Sequence, residues 1–331
     1  MLKTDTMFHI AQARKNPRMQ SVALSIKADH YYFTNQLDSL KAWIPRVQNF
    51  AREHNQLTYY YFTWSRLIFY YTKHKQFTLA QYELERYLAQ AEKDDYKPAM
   101  ADAYKEMGRI FHARGLSGQA ADSYRKAIDY IETNDLDKFF LSNLYGELAS
   151  ELINLKEFTE AAEAIEKGIQ NIPLPEHIWG LKLKQIQLYT QTGRIEEARR
   201  LYREVEQGNG QRIKPEQLLD IKLLIDIAAK DFRRAYDTAE KLVEVHKKNG
   251  SAEYSYTSIF SKLAWISCGL GDYKAAYEYQ THYITLYHEK ITNDQEQTLN
   301  EFATLLDVNR LDKERAEAEQ LAQAERLRRS R

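Results

Sequence analysis

A single cysteine, Cys268, leaves no partner for an intramolecular disulfide and no basis for a metal cluster built on thiolates alone. Glycine (12) and proline (6) fall well below their usual shares of about 7% and 5% of a 331-residue chain, which argues against strand-and-turn architectures and long loops. An excess of one charge is missing as well. Lys+Arg and Asp+Glu each number 47, so no global field draws the chain to nucleic acid or to a basic partner. Charged recognition has to be local, and nucleic acid is not expected as a partner. No run approaches the roughly 18 to 20 uncharged apolar residues of a membrane span, and Met1-Leu2-Lys3-Thr4-Asp5 is not followed by an apolar signal core.

What is present is ample apolar material. Hydrophobic residues make up 44% and charged residues 28%, enough to bury a sizeable core, so a globular, soluble, helical chain is expected. Tyrosine is the outlier, at 24 residues.

The apolar pattern repeats. From Ala101, the residues Tyr104, Met107, Gly108 and Phe111 form one helical stripe, Gly115 and Gly118 break it, and Ala120, Tyr124 and Ala127 form a second. Counting Ala101 as position 1, large residues fall at 4, 7 and 11, small ones at 8 and 20, and an aromatic at 24. The same template fits near Ser21, Tyr61, Ser142, Trp179, Glu216 and Thr257, giving seven units 37 to 41 residues apart. The Tyr61 unit carries Trp64, Leu67, Ile68, Tyr71, Phe77 and Ala80, and the Ser142 unit Tyr145, Leu148, Ala149, Leu152, Ala161 and Pro173. Small residues at 8 and 20 let two helices approach, while the large ones fill the space between successive hairpins.

This pattern resembles the tetratricopeptide repeat. The resemblance implies an all-α, right-handed solenoid with a concave inner wall, covering residues 21–291. Residues 1–20 are expected to be an N-terminal capping helix. Residues 292–331 are expected to form a C-terminal capping helix, with Leu299, Phe302, Leu305 and Leu306 covering the last repeat. It should run on into a charged, coiled-coil-like helix with a thin seam of Leu311, Ala318 and Leu321, which offers a homodimer contact. The end at Arg326-Leu-Arg-Arg-Ser-Arg lacks a capping signal, as if more protein followed.

Chemistry is sparse. The nine histidines show no His-x-x-x-His spacing, and the nearest pair, His282 and His288, falls off one helix face, so no metal or cofactor is expected. Cys268 reads as a small helix-packing residue, Gly208-Asn209-Gly210 as a turn between hairpins, and Asn249-Gly250-Ser251 as an Asn-Gly turn that also fits a glycosylation sequon. The aromatic runs Tyr31-Tyr32-Phe33, Tyr59-Tyr60-Tyr61-Phe62 and Tyr254-Ser255-Tyr256 read mostly as core and groove packing rather than stacking platforms. No acid pair, triad or nucleotide fingerprint appears, and the chain is read as non-catalytic.

The resemblance implies a ligand wall at positions 2, 5, 9 and 12 of each first helix, which here gives Ser65 and Phe69, then Lys105, Arg109 and His112, then Asn143. Lys105, Arg109 and Asn143 look like a site for a peptide carboxylate or acidic side chain, since arginine offers a bidentate fork and asparagine a donor and an acceptor. The site is similar to the carboxylate clamp of chaperone-binding members, although the paired asparagines and several lysines of that clamp are missing. A solvated polar face with incidental ion pairs is the competing interpretation.

Finally, Arg18-Met19-Gln20-Ser21-Val22-Ala23-Leu24, Asp29-His30-Tyr31-Tyr32, Tyr59-Tyr60-Tyr61-Phe62-x-Trp64 and Leu305-Leu306-Asp307-Val308-Asn309 resemble the repeat-bearing sensor regions of Bacteroidetes signalling proteins. That resemblance implies a protein- or peptide-binding sensor on the extracytoplasmic face of a membrane, with a histidine kinase or DNA-binding output elsewhere. The terminal arginines sit awkwardly with that side of the membrane. A free-standing cytoplasmic scaffold or a peptide-pheromone receptor is the alternative.

Overall fold

A computed structural model describes residues 2–208 and 212–329; among them it contains fifteen α-helices, two short 3₁₀ turns and no β-strand. The chain divides into two compact units: residues 1–90 with 293–331, and residues 91–292.

In the first unit, α1 (Leu2–Ala13), α2 (Pro17–Phe33), α3 (Leu37–Glu53), α4 (Leu57–Lys73) and the body of α5 (Phe77–Lys93) follow one another. The starts of α2 to α5 are spaced by 20 residues, and each helix has 17. Asn16 caps α2 by accepting from the Met19 amide at 3.0 Å, and Pro17 takes the first position, where its missing N–H costs nothing. Each turn then closes the same way. A residue with positive φ (Asn35 at 55°, Asn55 at 55°, Lys75 at 57°) lets the next amide reach back five residues, as from Gln36 to Tyr31 at 2.9 Å and Gln76 to Tyr71 at 2.8 Å. Asparagine tolerates this left-handed conformation, which explains how so many turns need so little glycine. The core holds Leu40, Ile68, Tyr61 and Leu84, with Tyr87 edge-on to Tyr61 at 5.1 Å.

The second unit contains α6 (Lys97–Ala113), α7 (Ser117–Thr133), α8 (Leu141–Asn154), α9 (Phe158–Gln170), α10 (Ile178–Gln191), α11 (Ile195–Gly208), α12 (Pro215–Ala228), α13 (Phe232–Lys248), α14 (Thr257–Gly269) and the start of α15 (Tyr273–Arg329). Hairpin packing follows the repeat. Ala120, Tyr124 and Ala127 are fully buried on α7, and Tyr124 lies flat against Gly108 of α6, where a Cβ would come within 2.4 Å of its ring. Glycine at position 8 is therefore a requirement of close approach.

The starts of α8, α10, α12 and α14 fall within one residue of the template positions Ser142, Trp179, Glu216 and Thr257, whereas α2, α4 and α6 start one turn before theirs, at Pro17, Leu57 and Lys97. Two local expectations change. Cys268 is exposed on α14 while its neighbour Ser267 is buried, so it does not pack the helices. Leu299, Phe302 and Leu306 are 69%, 52% and 72% exposed instead of covering a repeat, because α15 turns its polar face to the protein. The side chains of Leu311, Ala318 and Leu321, and the turn residues Asn209 and Gly210, lie outside the described residues.

Candidate functional site

On α6 of the second unit, Asp102, Lys105, Glu106, Arg109 and His112 are linked by steps of three or four residues and so share one side of the helix. They are already engaged with one another. Lys105 pairs with Asp102, lies 3.4 Å from Glu106 Oε1 and sits 5.4 Å over the Phe140 ring. Arg109 donates from Nη1 to Glu106 Oε1 at 2.9 Å. Glu106 is 4% exposed, and burial pushes its carboxyl above the usual range despite Arg109 and Lys105 beside it.

The face continues onto α8 and α10. Arg109 Nε lies 3.9 Å from Glu147 Oε1, and Glu147 Oε2 accepts the Tyr124 hydroxyl at 3.1 Å. His112 pairs through Nδ1 with Glu151 Oε1, and that bond raises the imidazole pKa above its ordinary value. Glu151 is 1% exposed and its Oε2 has no hydrogen-bond partner; burial pushes its carboxyl up, but the bond from His112 and other nearby donors leave it lower than usual. Lys184 of α10 is half-buried, and burial pulls its ammonium below the usual lysine range against the opposing pull of Glu147 and Glu151. No carboxylate lies within ion-pair distance of Lys184 among the described residues, whereas Lys105, Arg109 and His112 each have one.

Lys105, Arg109 and His112 thus lie on one side of α6, and Asn143 is exposed at the start of α8. Both cations of the expected three-residue site, Lys105 and Arg109, are paired with acids of this chain. Glu106, Glu147, Glu151 and Lys184 escaped the template. Facing residues on adjacent first helices are separated by 38 (Arg109 to Glu147) or 39 (His112 to Glu151) positions, not by the 41 that separates equivalent template positions. A search for opposite charges at that separation finds them. The assembled face offers donors and acceptors from three helices, and no group of three or more His, Cys, Asp or Glu among the described residues could hold a metal ion.

Ser65 and Phe69 belong to the first unit. Ser65 is 5% exposed and its hydroxyl donates to the Phe62 carbonyl of its own helix at 2.8 Å, so it is not available to a ligand. Phe69 is half-buried. The Arg66 guanidinium, paired with Asp29, lies 4.0 Å from the Phe62 ring and 5.5 Å from that of Phe69.

No protein-family model matches the sequence, and no curated protein matches it. Solved structures do. A tetratricopeptide repeat protein from Parabacteroides merdae covers 84% of this chain and 98% of its own, with a TM-score of 0.57 and 12% identity. NprR in complex with its cognate peptide NprX covers 84% of this chain and 81% of its own, with a TM-score of 0.62 and 13% identity. At such identities the likeness establishes the fold, which is that of the tetratricopeptide-repeat proteins. No helix among the described residues is long and apolar enough to cross a membrane.

Proposed function

We propose that this chain is a non-catalytic binding module that takes a peptide, or an extended segment of a protein, along the face shared by α6, α8 and α10. The observation that carries this is the linked polar face itself: Arg109 to Glu147 and His112 to Glu151 tie successive helices together, while Lys184 stands unpaired beside them. Arg109 and His112, 42% and 54% exposed at their side chains, present donors outward, and Glu147 presents an acceptor. NprR, which shares this fold, was solved with its cognate peptide, and that supports the ligand class.

In the finer reading, carried by the segments quoted above, the module is the sensor or interaction region of a signal-transduction regulator; a free-standing scaffold or a peptide-pheromone receptor is the alternative. A homodimer through α15, motivated by the exposed Leu299, Phe302 and Leu306, belongs to the same proposal and is tested by sedimentation at rising concentration. The ligand class is tested by selecting binders for the full chain from a library of random peptides and following amide exchange with a selected peptide added. Protection is expected in α6, α8 and α10. Failure to select any peptide, or protection confined to other helices, refutes the proposal.

A further inference from the structure

Within the first unit, the turn between α4 and α5 carries two sets of backbone groups that lie outside the helical ladders, the carbonyls of the turn residues His74 and Lys75 and the first amides of α5. Both sets are met from far along the chain. Glu301 of α15, 3% exposed, accepts from the Thr78 amide at 2.7 Å and the Leu79 amide at 3.1 Å, placing a carboxylate where the α5 dipole favours it. One turn earlier, Gln297 donates from Nε2 to the Lys75 carbonyl at 2.5 Å and to Glu301 Oε1 at 3.2 Å. A glutamine and a glutamate four residues apart thus read a single turn from both sides, across 222 residues of sequence.

This grip does not depend on apolar burial. A cavity of about 290 Å³ lies at the contact, and apart from Leu79 its lining is polar, including Gln76, Asn293, Asn300 and Thr304. The Gln76 Oε1 atom is buried without a hydrogen-bond partner. The large apolar residues of the segment, Leu299, Phe302 and Leu306, remain exposed with the helix in place. Separation would uncover mainly polar groups, which water satisfies, whereas α5 is held independently by Ala80, Leu84 and Tyr87, all at or below 2% exposure.

We propose that the α4–α5 turn is a docking surface for a helix carrying Gln and Glu four residues apart, that residues 293–304 of α15 occupy it in cis, and that this contact is a latch that opens while the core of the first unit persists. The latch determines whether the part of α15 beyond it is held against the unit or released. It stands independently of the peptide face on α6, α8 and α10.

Hydrogen exchange on the full chain tests it, comparing wild type with Glu301→Ala and, as a milder opening, Gln297→Ala. Amides of Thr78, Leu79 and residues 293–304 should exchange at least about tenfold faster in Glu301→Ala, while those of Leu84 and Tyr87 keep their wild-type rates. A synthetic peptide of residues 291–308 added to the Glu301→Ala chain should restore protection at Thr78 and Leu79. The same peptide with its own Glu301→Gln change should not. Unchanged exchange at 293–304 in both variants, loss of protection along the whole of α5, or equal action of the two peptides would overturn the proposal.

Discussion

Replacing Gly108 by alanine probes how closely α6 and α7 approach. The new methyl would stand 2.4 Å from Cε1 and 2.6 Å from Cδ1 of Tyr124, far inside contact distance. Tyr124 cannot step aside freely, because it is fully buried and its hydroxyl donates to Glu147 Oε2 at 3.1 Å. Overpacking a filled core costs about 1 to 3 kcal/mol. Pulling the hydroxyl off a carboxylate adds about 1.5 to 3 kcal/mol, and the better helix propensity of alanine returns about 1. A net loss of about 1.5 to 5 kcal/mol is expected, read as a lower melting temperature by circular dichroism and as faster amide exchange in α6 and α7. The same substitution in a Tyr124→Leu background should cost much less, since the shorter side chain leaves room for the methyl. An unchanged melt for Gly108→Ala, or an equal cost in both backgrounds, would refute the packing argument.

Ala120→Leu places a large side chain at a fully buried position of the same hairpin and should cost about 1 to 3 kcal/mol by thermal melting. The His112 ring should titrate above about 6.5 by NMR and fall back towards or below that value in Glu151→Gln. Because the imidazole is favoured protonated in the fold, its contribution to stability is full below the unfolded histidine pKa and fades as pH rises through the higher folded value. The Glu151 contribution is present above the ordinary carboxylate pKa and is lost as pH falls through its lowered folded value. Arg109→Ala should lower stability by about 1 to 2 kcal/mol in denaturant titration, since it removes the closest cation from the buried Glu106; a neutral result would mean that Lys105 alone compensates.

The hairpins were legible because each buries one stripe at helical spacing, and because the small residues Gly108 and Ala120 mark where backbones must meet. Turn positions were legible only where glycine stood, as at Gly115 and Gly250; Asn35, Asn55, Lys75 and Asp95 adopt the same left-handed conformation without announcing it. Lys105, Arg109 and His112 could be found from their own helix, but their partners could not. The residue facing a given side chain on the next first helix is not the equivalent template residue, as Arg109 and Glu147 illustrate. The position of Ser65 in the stripe likewise says nothing of its hydroxyl, which turns back onto its own backbone. Glu301 gave no signal, because a polar contact across 222 residues leaves no periodicity to detect.

Binding through the α6–α8–α10 face is tested most directly by calorimetry of one selected peptide against wild type and Lys184→Met, at two salt concentrations. Methionine keeps most of the length and the apolar stem of the lysine and removes its charge and donors, and no ion pair among the described residues is broken by the change. Loss of a charged donor should weaken binding about tenfold or more, with a shallower salt dependence in the variant. Equal affinities and equal salt dependence for the two proteins would contradict the assignment of this face to the ligand.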